Sequence, residues 1–262
     1  MGLEHIVDVE RYMARERRDG IVERGRRQLA EIGSATFDDF ILPAALRDMV
    51  NEANTAQPHA YRREASYTAY MPDEATGDEN HPTRRMHPYA LSAIANDQLD
   101  PAGILNALYR DERFIRFIAD ILQEPELYPL GDPMLGLTLT YLRKGDQHGW
   151  HFDRNDFVVS LLLQGTEEGG VFEFAPFIRS DNDPNYEAVD AAMNGDDSRL
   201  HRIKAKAGTL ALFAGKRSLH HVTPILGDTP RIIALLSYDR TSNLIHDEAV
   251  HLRTFGRSLQ AH

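Results

Sequence analysis

The stretch HGWHFDRNDFVVSLLLQ, residues 148–164, sets a histidine- and aspartate-rich segment directly against a run of β-forming residues. Within it His151 and Asp153 lie two apart. Side chains at i and i+2 of an extended strand point to the same face. An imidazole nitrogen and a carboxylate oxygen can therefore converge there on one divalent metal. The tripeptide pattern alone is equally compatible with a surface loop, so its surroundings have to decide.

Those surroundings read as strands. Residues 134–143 alternate, with Leu135, Leu137, Leu139 and Tyr141 on one face and Gly136, Thr138 and Thr140 on the other. Segments 157–164, 169–176, 208–215, 218–225 and 231–239 are further short strands separated by Gly, Pro and Asp turns. Strands at this spacing indicate a double-sheet jelly roll (a double-stranded β-helix) or a barrel, and the jelly roll is the one expected here. The fold class expected is therefore mainly β with flanking helices, in a single domain over residues 1–262. About 1–130 is mainly helical support and substrate loops, about 134–240 the jelly-roll core, and 241–262 a helical tail.

In the first part, residues 4–31 carry helical periodicity. Ser34 or Thr36 is expected to cap a second helix through ILPAALRDMVNEANTA. DPAGILNALYRDERFIRFIADILQ reads as an amphipathic helix pair. Residues 57–90 are rich in Pro, Tyr, Arg and acids, and MPDEATGDENHPTRRMHP reads as a long loop.

Composition narrows the functions. A net charge of -11 disfavours a polyanion as partner, so no nucleic acid is expected. With no cysteine there are no disulfides, thiolate nucleophiles or Cys-ligated metals, which fits a cytoplasmic location. The first 20 residues lack the apolar run of a signal peptide. No window approaches the roughly 20 apolar residues of a membrane span, so no membrane partner is expected. The oligomeric state is not specified.

A third metal ligand is available in SLHHVTPI, a strand that a jelly roll can place beside the His151–Asp153 edge. Two histidines and a carboxylate on one side of a metal make the facial triad of non-haem Fe(II) oxygenases. His220 and His221 face opposite ways on a strand, so one of them binds, and parity does not choose. Arg231 begins the last strong strand. A guanidinium inside a barrel needs an anion, and the far carboxylate of a metal-chelating dicarboxylate would serve. Ile233, Leu235 and Ser237 share its parity, which brings Ser237 toward substrate or cosubstrate. Thr138 and Thr140 face the same interior, where either can hydrogen-bond the dicarboxylate, although β-propensity alone also accounts for them.

H-x-D, a long gap, H-x-V-x-P and a strand-borne arginine together resemble the Fe(II)/2-oxoglutarate-dependent oxygenases. More narrowly, YRREASY (61–67), WHFDRNDFVVSLLLQ (150–164), EEGGVFEFAP (167–176) and LHHVTPILGDTPRIIALLSYD (219–239) resemble the amino-acid halogenases and hydroxylases that include the free-lysine halogenases. The resemblance implies His151, Asp153 and His220 as both metal ligands and catalytic centre. It implies Fe(II), 2-oxoglutarate and O2 as cofactor and cosubstrates, with ascorbate in a supporting role, and a small amino-acid substrate. The group's halogenases carry glycine where this chain has Asp153, so the carboxylate implies hydroxylation in place of halogenation. His148 stands where the group contacts its amino acid.

Trp150 beside the ligand is expected to wall the pocket, and Arg84 or Arg85 to clamp the α-carboxylate. Lysine-acting members hold the substrate ammonium with acids at two places occupied here by Met134 and Arg154, which opens a neutral or acidic side chain as a rival. Two further enzyme readings act on a peptidyl or carrier-bound residue, or end in desaturation. A non-oxygenase cupin-like protein would carry a glutamate soon after the histidine pair, and none stands between Asp153 and Glu167.

Overall fold

Strand alternation in the second half and apolar stripes in the first meet in one layered arrangement. It is seen in a computed structural model that describes residues 2–259. In chain order the first part contributes α1 (Val9–Tyr12), α2 (Arg15–Ile32), β1 (Ser34–Phe37), α3 (Pro43–Ala56), β2 (Tyr61–Thr68) and β3 (Met86–Ile94). Next come α4 (Ile104–Tyr109), α5 (Glu112–Leu122), β4 (Tyr128–Pro129), β5 (Leu137–Leu142), β6 (Gln147–His151), β7 (Val158–Gln164) and β8 (Phe172–Ala175). The chain closes with α6 (Tyr186–Met193), β9 (His201–Ile203), β10 (Leu210–Phe213), β11 (Leu219–Val222), β12 (Arg231–Leu236), β13 (Tyr238–Asp239) and α7 (Glu248–Phe255).

Eleven strands form one antiparallel sheet along the path β1-β10-β7-β12-β5-β3-β6-β11-β8-β9, with β2 paired to β3, while β4 and β13 pair separately. The path curls because β3 serves both halves. Its Ser92–Ile94 end pairs with β5, and Tyr89 and Ala90 pair with β6. The result is the expected jelly roll.

On β5 the alternation separates two environments. Leu137, Leu139 and Tyr141 are buried with Phe37, Phe40, Phe114 and Phe117 under the helices. Thr138 and Thr140 face the interior cavity. Burying each large apolar side chain contributes about 1.5–3 kcal/mol, so the helical layer holds the outer sheet face while the inner face stays free for chemistry.

Two readings of the first part change. Ser34 and Thr36 lie in β1, paired to β10, and cap no helix. Helix α3 begins instead at Pro43, whose fixed φ suits the first helical turn. Gly33, at φ +67°, closes α2 in the left-handed conformation that favours glycine, and the chain turns straight into β1. The long loop expected over 71–88 does lie between β2 and β3, with only its last residues, Met86–Pro88, entering β3, but the segment before it is a strand that was not expected. Tyr61–Thr68 pairs with Met86–Ala93 over its whole length. As an outlying strand covered on neither side by the core, β2 is mostly exposed, so it lacks the apolar alternation that marks buried strands. The tail bears α7 as expected, and residues 260–262 lie outside the described residues.

Asp132 ties that tail down. Its carboxylate accepts from His251 Nε2 at 2.6 Å and from the backbone N–H groups of His246, Met134 and Leu135. Burial works against ionisation of Asp132, yet these donors prevail and hold it below its ordinary range. Helix α7 is thereby fixed beside β2 and β3, with Thr254 at the cavity wall.

Candidate metal centre

β6 and β11 lie side by side, with His151 opposite His220 and His148 opposite Val222. Four residues of β6, 148–151, thus span three of β11, 220–222, a bulge. It turns His148 to the same face as His151, and their rings stack with centroids 3.8 Å apart. The glycine between them is required, since a Cβ at Gly149 would come within 2.6 Å of His87 Cβ and the Pro88 carbonyl.

Asp153 follows just beyond β6, its backbone N–H donating to the Gly215 carbonyl at 3.1 Å. One carboxylate oxygen lies 3.8 Å from His151 Nε2 and the other 3.4 Å from His220 Nε2. Ligand atoms of the three residues all fall within 4.8 Å of one another, and no other such group occurs among the described residues. Gly215 makes room for this carboxylate, which sits where a Cβ would be.

The ring orientations are also set. His151 Nδ1 faces the Gly149 carbonyl at 2.8 Å and His220 Nδ1 the Ser218 carbonyl at 2.9 Å. A carbonyl only accepts, so each Nδ1 carries a proton and each Nε2 is directed toward Asp153. Burial, with His220 beside it, pushes His151 down to about 3, which keeps the imidazole neutral. Two imidazoles and one carboxylate, with a cavity on the open side, fit a divalent ion that accepts N and O donors.

The triad opens into a cavity of about 500 Å³. Thr138, Thr140, Ser237, His148 and Arg231 all line it. Arg231 is 8% exposed. Burial alone lowers its guanidinium to about 10, and it has no ion-pair or hydrogen-bond partner among the described residues.

Other expected residues sit elsewhere. Trp150, adjacent to the ligand in sequence, falls on the opposite sheet face and stacks on His221 at 3.6 Å, so it does not wall the cavity. His221 Nε2 in turn meets Glu173 at 2.8 Å. Arg84 donates to the carbonyls of Thr76 and Gly77. Arg85 pairs with Asp190 at 2.7 Å and bonds Asn194. Both arginines are engaged at the loop that meets α6, and neither reaches the cavity.

Two residues not singled out from sequence stand in their place. Tyr89 lines the cavity and meets the His148 ring edge-on at 4.7 Å. Arg63 lies over the Tyr89 ring at 4.5 Å and donates to Tyr67 Oη at 2.6 Å. The signal was present in YRREASY, but only the strand pairing shows which of its arginines faces inward.

Among the described residues no helix is long and apolar enough to cross a membrane. No curated protein matches the chain. Its fold is similar to that of a 2OG-Fe(II) oxygenase family oxidoreductase from Burkholderia pseudomallei (16% identity, 84% of this chain and 91% of that one, TM-score 0.52). It is similar also to the carbocyclase SnoK from nogalamycin biosynthesis (11%, 91% and 93%, TM-score 0.58). A third similar structure is HygX from Streptomyces hygroscopicus, solved with nickel, 2-oxoglutarate and hygromycin B (12%, 87% and 88%, TM-score 0.56). A family model described as Halogenase D matches residues 18–254. With nearly the whole chain matched and the site built on the same jelly roll, the protein belongs to the halogenase D family.

Proposed function

We propose that this protein is an Fe(II)- and 2-oxoglutarate-dependent oxygenase that hydroxylates a free amino acid. The observation that carries the reading is Arg231, a buried guanidinium facing the same cavity as the His151–Asp153–His220 triad and lacking a carboxylate partner. A buried charge without a counter-ion is costly, and a dicarboxylate held at the triad by one end offers its other end to Arg231. Thr138 and Thr140 supply hydroxyl donors on the strand paired with Arg231. Iron, when bound with 2-oxoglutarate and O2, supplies the oxidising power to replace a substrate C–H bond with C–OH, yielding succinate and CO2.

Arg231→Ala is expected to raise the half-saturating 2-oxoglutarate concentration roughly ten- to a hundredfold, since a charge-assisted contact contributes about 1.5–3 kcal/mol. Succinate formation against 2-oxoglutarate concentration measures this. An unchanged curve removes Arg231 from the role.

The amino-acid assignment is supported by His148, Tyr89 and Arg63, which form a polar, partly cationic wall running outward from the metal ligands. Arg63 replaces Arg84 and Arg85 as the anchor for the α-carboxylate, because it alone shares the inner face. Amidating that carboxylate should abolish substrate-triggered succinate formation. Efficient turnover of the amide, or of an internal peptide residue, would move the assignment to a peptidyl substrate.

A further inference from the structure

The eleven-stranded sheet curls without closing. β1 and β9 end its path and do not pair with each other, so an unbonded seam separates them. The cavity reaches that seam from both sides. Ile203, Lys204 and Ala205 line it from the end of β9, and Ser34 and Thr209 from the side of β1 and β10. Ser34 and Thr209 are buried, whereas Ala205 is partly exposed and Lys204 fully so. A residue that lines the cavity and also meets solvent marks a place where the cavity opens. Just inside, Ser34 Oγ is buried without a hydrogen-bond partner among the described residues, a hydroxyl free to bond a passing solute.

This opening adjoins Arg231. A Cβ at Gly170 would lie 3.3 Å from Arg231 Cδ. Two residues further on, Phe172 pairs with Ile203, the neighbour of Lys204. On the other wall Ile233, two residues along from Arg231, pairs with Leu162, whose N–H donates to the Thr209 carbonyl at 3.1 Å. Lys204 at the lip and Arg231 within are the cations along this route. Of the two acids that line it, Glu167 accepts from the Thr229 N–H at 3.1 Å and Glu168 is exposed. The amino-acid wall lies elsewhere. Tyr89 is on β3 and His148 on β6, at the turn of the sheet, across the cavity from its two free ends.

We propose that the seam between β9 and β1 is a second entrance to the barrel, through which the dicarboxylate reaches Arg231 and succinate leaves while the amino-acid side is occupied. This rests on the 2-oxoglutarate reading above and adds to it a route. A dicarboxylate held between the triad and Arg231 turns its far end toward the seam, so it can exchange without passing a bound amino acid. The route has a kinetic signature. A side chain that narrows an entrance without touching the bound ligand slows association and dissociation by the same factor and leaves Kd unchanged, whereas a change in the binding site itself alters Kd.

The test is rapid anaerobic mixing of Fe(II)-loaded protein with 2-oxoglutarate, following the charge-transfer absorption of the bound cosubstrate, with dissociation measured on dilution and Kd by equilibrium titration. Ala205→Trp and Lys204→Trp, two independent obstructions of the seam, should each slow association about tenfold or more and dissociation by the same factor, with Kd unchanged. Ala205→Ser should behave as the native protein. Thr254→Trp, on α7 at the opposite side of the cavity, should leave 2-oxoglutarate association unchanged. Native rates in both seam variants, a changed Kd in both, or equal slowing by Thr254→Trp overturns the second entrance and leaves the cosubstrate reading standing. Failure of 2-oxoglutarate to produce the absorption in the native protein overturns both.

Discussion

His220→Ala is expected to lose metal binding and turnover, whereas His221→Ala is expected to retain both. The two histidines are adjacent on β11 and therefore face opposite sides of the sheet. His220 is buried, its Nδ1 faces the Ser218 carbonyl, and its Nε2 lies 3.4 Å from an Asp153 oxygen. Losing it leaves two ligands and an opened first coordination position. Removing mere supporting partners of a ligand typically costs ten- to a hundredfold in metal affinity, so deleting the ligand itself should cost at least about a hundredfold.

His221 serves a different purpose. Its ring lies under Trp150 and its Nε2 is taken by Glu173, which also binds Arg202. The alanine variant should lose about 1 kcal/mol of stability from stacking and a hydrogen bond, seen as a modest fall in Tm with metal content intact. Anaerobic metal titration and succinate assays on both variants decide the matter. A dead His221→Ala beside an active His220→Ala would reverse the ligand assignment.

That contrast shows where the sequence is legible and where it is not. β5, β7 and β12 have one face on the helical layer and the other on the cavity, so their alternation could be read directly, and the inward parity of Thr138, Thr140, Arg231 and Ser237 follows from it. β2 has little of itself in the core, so no apolar period marks it. The inward turn of His148 depends on a bulge between β6 and β11, a property of two strands together that neither one's sequence displays. Arg84 and Arg85 look like free cations in a loop until α6 brings Asp190 and Asn194 to Arg85. Local periodicity is written in the chain, whereas the partners of polar side chains are made by tertiary contact. Trp150 illustrates the same limit, since adjacency to a ligand on a strand means the opposite face.

Asp153→Gly should lose hydroxylation by at least about a hundredfold and give, at most, a minor chlorinated product in high chloride. In the native protein the carboxylate is held against Gly215, with one oxygen toward each histidine. On the proposed reading it supplies the third donor and a negative charge, and both exclude a halide from that position. Glycine removes the donor and the repulsion together. Gly215, having no side chain, leaves the vacated volume free for an anion.

An open position is still not sufficient for halogenation. The product depends on which group the substrate carbon radical meets first, and His148 and Tyr89 line a cavity in which the Asp153 carboxylate is present. A misplacement of about 1 Å can cost a hundredfold in rate, so the vacancy should weaken the native outcome far more than it installs the other. Mass spectrometry of products formed in chloride and in chloride-free buffer separates the cases by the chlorine isotope pattern. Chlorinated product from the unmodified enzyme would overturn the hydroxylase reading, because it would mean that a halide reaches the reacting centre with the Asp153 carboxylate in place.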